Sequence, residues 1–143
     1  MSTITAANSV FMLAIGGIFA VPQQLQGYAA DAAFAFDSVA PAETVMGVDG
    51  RMSAGWVPYP TIQTITLMPD SPSMGMFDAW LTSQSVAREV FFGSATIVLP
   101  AIGKKYTLNR GVLTAAKTAP DVGKVLKAVE YKITWESVSQ ALV

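Results

Sequence analysis

Val129-Glu130-Tyr131-Lys132-Ile133-Thr134-Trp135-Glu136, close to the C-terminal end, alternates apolar with charged or hydroxyl side chains over eight residues. Successive side chains of a strand point to opposite faces, so a period of two marks a strand with one buried face and one wet face. Upstream, residues 90–102 and 106–116 are rich in β-branched and aromatic side chains and flank Gly103-Lys104-Lys105, which reads as a long hairpin. Pro100 suits only an edge or a strand end, because it has no N–H to give to a ladder. Ala119-Pro120-Asp121-Val122-Gly123 supplies the next turn. The last third is thus expected to be a three-stranded antiparallel meander, and the chain mainly β.

Toward the N-terminus, residues 43–47 and 52–56 surround Asp49-Gly50, a two-residue hairpin signal, because such turns need positive φ and these residues tolerate it. Asp70-Ser71-Pro72-Ser73 breaks the β pattern and leads into Met74, Phe77 and Leu81, spaced at three and four. Ser71 or Asp70 can cap free backbone N–H groups and Pro72 suits a first helical position, so one amphipathic α-helix is expected over about 71–87. Residues 38–60 hold Pro41, Gly47, Gly50, Gly55, Pro58 and Pro60 among Met46, Met52, Trp56 and Tyr59. Two readings fit that segment. An ordinary hairpin would pack those four side chains in a core; a projecting one would offer them to another protein, since Met and aromatic residues are enriched at interfaces.

A chain of 143 residues is one domain's worth of protein. It is 52% hydrophobic and 13% charged, whereas about a quarter charged is typical of soluble domains. That apolar excess needs a cover, either a membrane or another protein surface. The longest apolar run, residues 10–21, contains Gly16 and Gly17 and stops at Pro22; it falls short of the about 20 residues a membrane helix requires. No Lys or Arg precedes Arg51, so the run lacks the basic flank of a secretory signal. Self-association becomes the leading explanation of the excess, with another partner protein as the other cover.

The net charge is −1 but unevenly laid out. Residues 1–80 hold six carboxylates against Arg51, whereas 104–132 hold seven basic residues against Asp121 and Glu130. Solvated faces explain such clusters. They also suit a dipolar subunit whose acidic side meets the basic side of the next copy, as head-to-tail stacking requires. The basic residues form no dense run, which argues against nucleic-acid recognition.

With no Cys and no His, disulfides, thiolate nucleophiles and Cys/His zinc sites are excluded, together with the side chain best suited to proton transfer near neutral pH. The ten carboxylates show no ligand-like spacing and no paired acid. Gly103-Lys104-Lys105 lacks the first glycine and the Ser/Thr of a phosphate loop and sits in a hairpin. The inventory points away from an enzyme and calls for no cofactor or metal.

Gly103-Lys104-Lys105-Tyr106-Thr107-Leu108, Gly111-Val112-Leu113-Thr114, Pro120-Asp121, Lys124-Val125-Leu126 and Tyr131-Lys132-Ile133-Thr134-Trp135-Glu136 follow one another in an order that resembles small tail tube proteins of tailed bacteriophages. The Pro69-Asp70-Ser71-Pro72 helix entry is similar too, and the resemblance covers roughly residues 50–137. It implies a single domain, an antiparallel β-sandwich or partly closed barrel with one flanking helix. Hexameric rings of it would stack into a hollow tube that conducts the genome at ejection, double-stranded DNA passing without specific binding. An N-terminal arm of about residues 1–10 and the loop of about 38–60, with Met46, Met52, Trp56 and Tyr59, would reach adjacent subunits. Glu130, Thr134 and Glu136 would face the lumen, where like charges repel DNA, although Lys132 shares their face. Sheath, baseplate and tail terminator proteins would be partners, with the small size leaning to a contractile tail, and the location would be the virion tail, assembled in the host cytoplasm. Two alternatives from other classes are a head decoration protein and a monomeric β-barrel module binding an apolar ligand.

Overall fold

The computed structural model describes residues 9–25, 34–117 and 119–142. Nine strands and one helix follow in the order β1 (Val10–Ile15), β2 (Phe19–Gln24), β3 (Phe34–Phe36), β4 (Ala42–Met46), β5 (Met52–Trp56), β6 (Thr61–Leu67), α1 (Met74–Ala87), β7 (Gly93–Leu99), β8 (Lys104–Ala116) and β9 (Val129–Leu142). Seven of the strands share one sheet in the order β2-β1-β7-β8-β9-β6-β3, with every neighbouring pair antiparallel. β4 and β5 form a separate two-stranded sheet.

The sheet is curled. Phe11 on β1 and Phe34 on β3, near opposite ends of the strand order, meet edge to face with ring centroids 5.4 Å apart. Of the two expected architectures, this is the partly closed barrel: the core is wrapped by a single sheet rather than held between two. A bulge on β8 adds to the curl. Gly93 pairs with Gly111 but Ala95 with Leu108, so Asn109 and Arg110 together oppose Ser94, and Arg110 takes a φ of 48°. An extra residue on one strand bends it and increases its right-handed twist.

The opening octapeptide forms the first half of β9 and does what its alternation requires. Val129, Tyr131, Ile133 and Trp135 are each at most 1% exposed, between Ile65 and Leu67 of β6 and Leu113 of β8. Trp135 lies across Gly111, where an added Cβ would come within 2.4 Å of the indole ring; the absent side chain is what lets the ring settle there. The Trp135 Nε1–H donates to Gln63 Oε1 at 2.9 Å, giving a buried indole its partner. From α1, Met76, Phe77 and Trp80 enter the same core, Phe77 stacking on Tyr131 at 4.5 Å and Trp80 Nε1–H donating to the Phe91 carbonyl at 2.9 Å.

The meander β7-β8-β9 stands as expected, with two adjustments. β7 ends at Leu99, because Pro100 starts a short 3₁₀ turn, Pro100–Ile102, closed by Gly103 at φ 65°. β9 runs on past the alternating stretch to Leu142, pairing with the start of β8. The helix begins at Met74 and not at 71. Ser71 Oγ accepts from the Ser73 N–H at 3.1 Å, so Ser71 and Pro72 shape the turn before the helix. No helix among the described residues is long and apolar enough to cross a membrane. The run at 10–21 forms β1, a turn with Gly17 at φ 83°, and the start of β2.

Candidate functional site

The segment 38–60 carries seven large exposed hydrophobics among the described residues: Val39, Val45, Met46, Val48, Met52, Trp56 and Tyr59. Val57 N–H donates to the Pro41 carbonyl at the root of the β4-β5 hairpin, and Asp37 N–H donates to the Ile62 carbonyl where β3 passes β6. The hairpin therefore leaves the barrel at the end where β6 begins. Its tip is closed by Gly47 N–H to the Arg51 carbonyl at 2.8 Å and Gly50 N–H to the Gly47 carbonyl at 3.0 Å. Asp49 Oδ1 accepts from the Arg51 N–H. Gly50 alone of the loop takes positive φ, 83°. The Asp49-Gly50 signal did mark a hairpin, but with a three-residue loop ending in a left-handed glycine, not a two-residue turn.

Register decides which side chains share a face. Met46 pairs with Met52 and Ala42 with Trp56, so Met46, Met52 and Trp56 lie together, with Glu43, Val45 and Ser53 on the other face. Every residue of both strands is exposed, Met46 at 64%, Met52 at 61% and Trp56 at 75%, and Val48 tops the tip fully exposed. Among the described residues β4 and β5 hydrogen-bond as strands only to each other. A lone two-stranded ribbon with an apolar face in water is marginal at best. Tyr59 is less exposed and lies below the hairpin. With Trp56, Phe34, Phe36, Leu99 and Tyr106 it lines an apolar groove of about 840 Å³.

Glu130, Thr134 and Glu136 lie on β9 between its inward residues, on the side away from the core. Thr134 Oγ1 is 3.1 Å from Thr114 Oγ1, and register sets Thr64 beside Lys132 and Thr66 beside Glu130. The face is thus small, hydroxylated and nearly neutral, because Lys132 offsets Glu130. Glu136 is met by Arg110 Nε at 3.2 Å, and the Arg110 guanidinium sits 4.4 Å over the Phe92 ring. The Arg110 bulge and the seating of Trp135 on Gly111 are not legible from local pattern beyond the hint of a glycine in mid-strand.

The unevenness of charge along the chain does not translate into one acidic and one basic end of the fold. Lys104 and Lys105 begin β8 at the hairpin's end of the barrel, and Asp70 follows β6 at the far end. Local clusters remain. The loop at 119–127 is a compact knob, with Lys127 N–H donating to the Asp121 carbonyl and Gly123 N–H to the Val125 carbonyl. Its Val122, Val125 and Leu126 side chains are exposed, and Lys117 pairs with Asp121. That hydrogen bond and charge hold the Asp121 carboxyl below the usual carboxylate range. No cluster of acidic side chains at metal-binding distance occurs among the described residues. The arm expected at 1–10 lies, apart from its last two residues, outside the described residues.

A protein-family model described as tail fiber protein gp32 matches residues 2–139. The chain belongs to that family of tail proteins. No curated protein matches it by sequence. Among solved structures, a chain of the anti-feeding prophage baseplate, 6-fold symmetrised, is 13% identical with a TM-score of 0.59, over 100% of this chain and 99% of that one. A chain of an extracellular contractile injection system, the PVC sheath-tube complex in the extended state, is 15% identical with a TM-score of 0.55, over 93% and 88%. A chain of the anti-feeding prophage tube-terminating cap is 10% identical with a TM-score of 0.55, over 100% and 93%. The fold of this gp32-family chain is tail-tube-like, as its resemblance to tail tube proteins implied.

Proposed function

We propose that this chain is the subunit of a phage tail tube: six copies close into a ring, rings stack into a hollow tube, and the genome passes along the bore at ejection. The observation that carries this reading is the β4-β5 hairpin, whose Met46, Met52 and Trp56 face stands exposed, outside the core formed by the seven-stranded sheet and α1. Covering that face against a neighbouring copy removes the apolar excess from water, and heterologous contacts that close laterally give rings. Tyr59 at the hairpin root and the N-terminal arm belong to the same set of contacts. The hydroxylated outer face of β6, β8 and β9, with Glu130, Thr134 and Glu136, lines the bore. Its near-neutral character suits DNA passing without specific binding, since no dense positive charge would hold phosphates.

Similar chains occur in structures described as a sheath-tube complex, a baseplate and a tube-terminating cap. On that likeness a sheath, a baseplate and a terminator are the partners we propose, in a contractile tail assembled in the host cytoplasm. The role is structural and assigns no chemical step to any residue. Negative-stain electron microscopy of the purified protein over a range of concentrations tests it: stacked rings with a central bore are expected. Solid fibres without a bore would instead favour a fibre component, as the family's description has it.

A second reading, a monomeric module holding an apolar ligand, is favoured by the groove lined by Phe34, Phe36 and Tyr59. It predicts a monomer at every concentration.

A further inference from the structure

We propose that the tip of the β4-β5 hairpin docks on the knob at residues 119–127 of a second copy placed head to tail, a contact that rests on the stacked-ring reading above. The two surfaces lie at opposite ends of the barrel. β6 begins beside the hairpin root at Thr61, opposite Trp135 of β9, and ends at Leu67, opposite Val129, with one residue between it and the knob. Seven paired residues at about 3.3 Å each put the two ends about 20 Å apart, with the hairpin rooted at one and the knob at the other. A simple translation along the strands then brings the hairpin of one copy to the knob of the next. Such a contact uses two different patches and therefore repeats without limit.

The chemistry of the two tips matches. Val48 caps the hairpin, with Met46 and Met52 just behind it, and Val122, Val125 and Leu126 are 79%, 76% and 50% exposed on the knob. Neither apolar cluster is covered by its own chain among the described residues. Charge complements them. Glu43 and Asp49 against Arg51 leave the hairpin at −1, whereas Lys117, Lys124 and Lys127 against Asp121 leave the knob region at +2. Asp121 is held by Lys117, with Lys127 acting on it more weakly, so Lys124 and Lys127, both exposed, carry the positive excess that an incoming acidic tip would meet. Opposite charges at the rim of an apolar contact set its register and favour unlike patches over like ones.

The natural absence of cysteine gives a clean test. In the full chain carrying Val48→Cys and Val125→Cys together, oxidation of assembled protein is expected to give a ladder of cross-linked multimers on a non-reducing gel. Each single substitution, with one thiol per subunit, should leave only monomer on the gel. Independently, Lys124→Glu with Lys127→Glu is expected to shorten stacks at least tenfold in electron micrographs while single rings persist. If stacks form and the cysteine pair gives no ladder, the hairpin-to-knob contact is wrong and the tube reading stands. If the unaltered protein forms no stacks at any concentration, both fall. A cross-linked dimer from Val48→Cys alone would mean that tips meet tips, which also overturns the proposal.

Discussion

The β6-β9 wall of the barrel and the β4-β5 hairpin are built on the same rule and end in opposite environments. Along β9 the alternate residues Val129, Tyr131, Ile133 and Trp135 are sealed, at most 1% exposed, by β6, β8 and α1. Along the hairpin Met46, Met52 and Trp56 also share one face, yet they are 61–75% exposed. Alternation tells a strand which face must be covered. It does not say whether the cover comes from the same chain or from another copy. The difference separates residues that stabilise the subunit from residues that assemble it.

Substitutions in the two regions should therefore part company. The largest effect belongs to Trp135→Ala, which empties the centre of the wall and strips Gln63 of its indole partner. A loss of about 3–5 kcal/mol is expected in urea unfolding, as for other buried aromatics. Gly111→Ala should cost about 1–3 kcal/mol in the same assay, because its methyl would meet the Trp135 ring. A change under about 0.5 kcal/mol there would mean that the ring is not seated as described.

Tyr131 offers a finer probe of the wall. Burial, aided by the Asp78 charge, pushes its phenol up to about 12 from 10, so the folded chain keeps the proton more tightly than the unfolded chain. That contribution is fully present below pH 10 and is lost as pH rises toward 12. Tyr131→Phe keeps the stack on Phe77 and should shift stability by less than about 1 kcal/mol at pH 7, because the hydroxyl has no hydrogen-bond partner among the described residues. It should also remove part of the alkaline loss between pH 10 and 12, which a pH series of melting temperatures reads directly.

The smallest effect on subunit stability is expected from Met52→Ser with Trp56→Ser, within about 0.5 kcal/mol, because both side chains already stand in water. The same pair should abolish assembly. If it instead unfolds the subunit, the hairpin belongs with the core and the distinction between the two regions collapses.

Where the chain wrote its pattern in side-chain contrast, the fold was legible: Val129 to Trp135 against their charged neighbours, Asp49-Gly50 at the hairpin, and the three-and-four spacing of Met74, Phe77 and Leu81. β6 escaped notice because Thr61 and Gln63 turn inward while Ile62 turns out, which scrambles the contrast. β1 escaped for the converse reason: Phe11, Leu13 and Ile15 are buried, but Val10, Met12 and Ala14 between them are apolar too. The Arg110 bulge depends on tertiary register, which no local signal carries. Of the candidate site, Met46, Met52 and Trp56 could be named from residue type, but their common face required the pairing of Ala42 with Trp56.

Sedimentation velocity across a wide concentration range, on the natural chain and on Met52→Ser with Trp56→Ser side by side, tests most directly that the hairpin face is there to be covered by another copy. The account predicts rings and larger stacks for the natural chain, and for the variant a monomer with an unchanged circular dichroism spectrum. A natural chain that stays monomeric throughout, or a folded variant that assembles as readily as its parent, would contradict it.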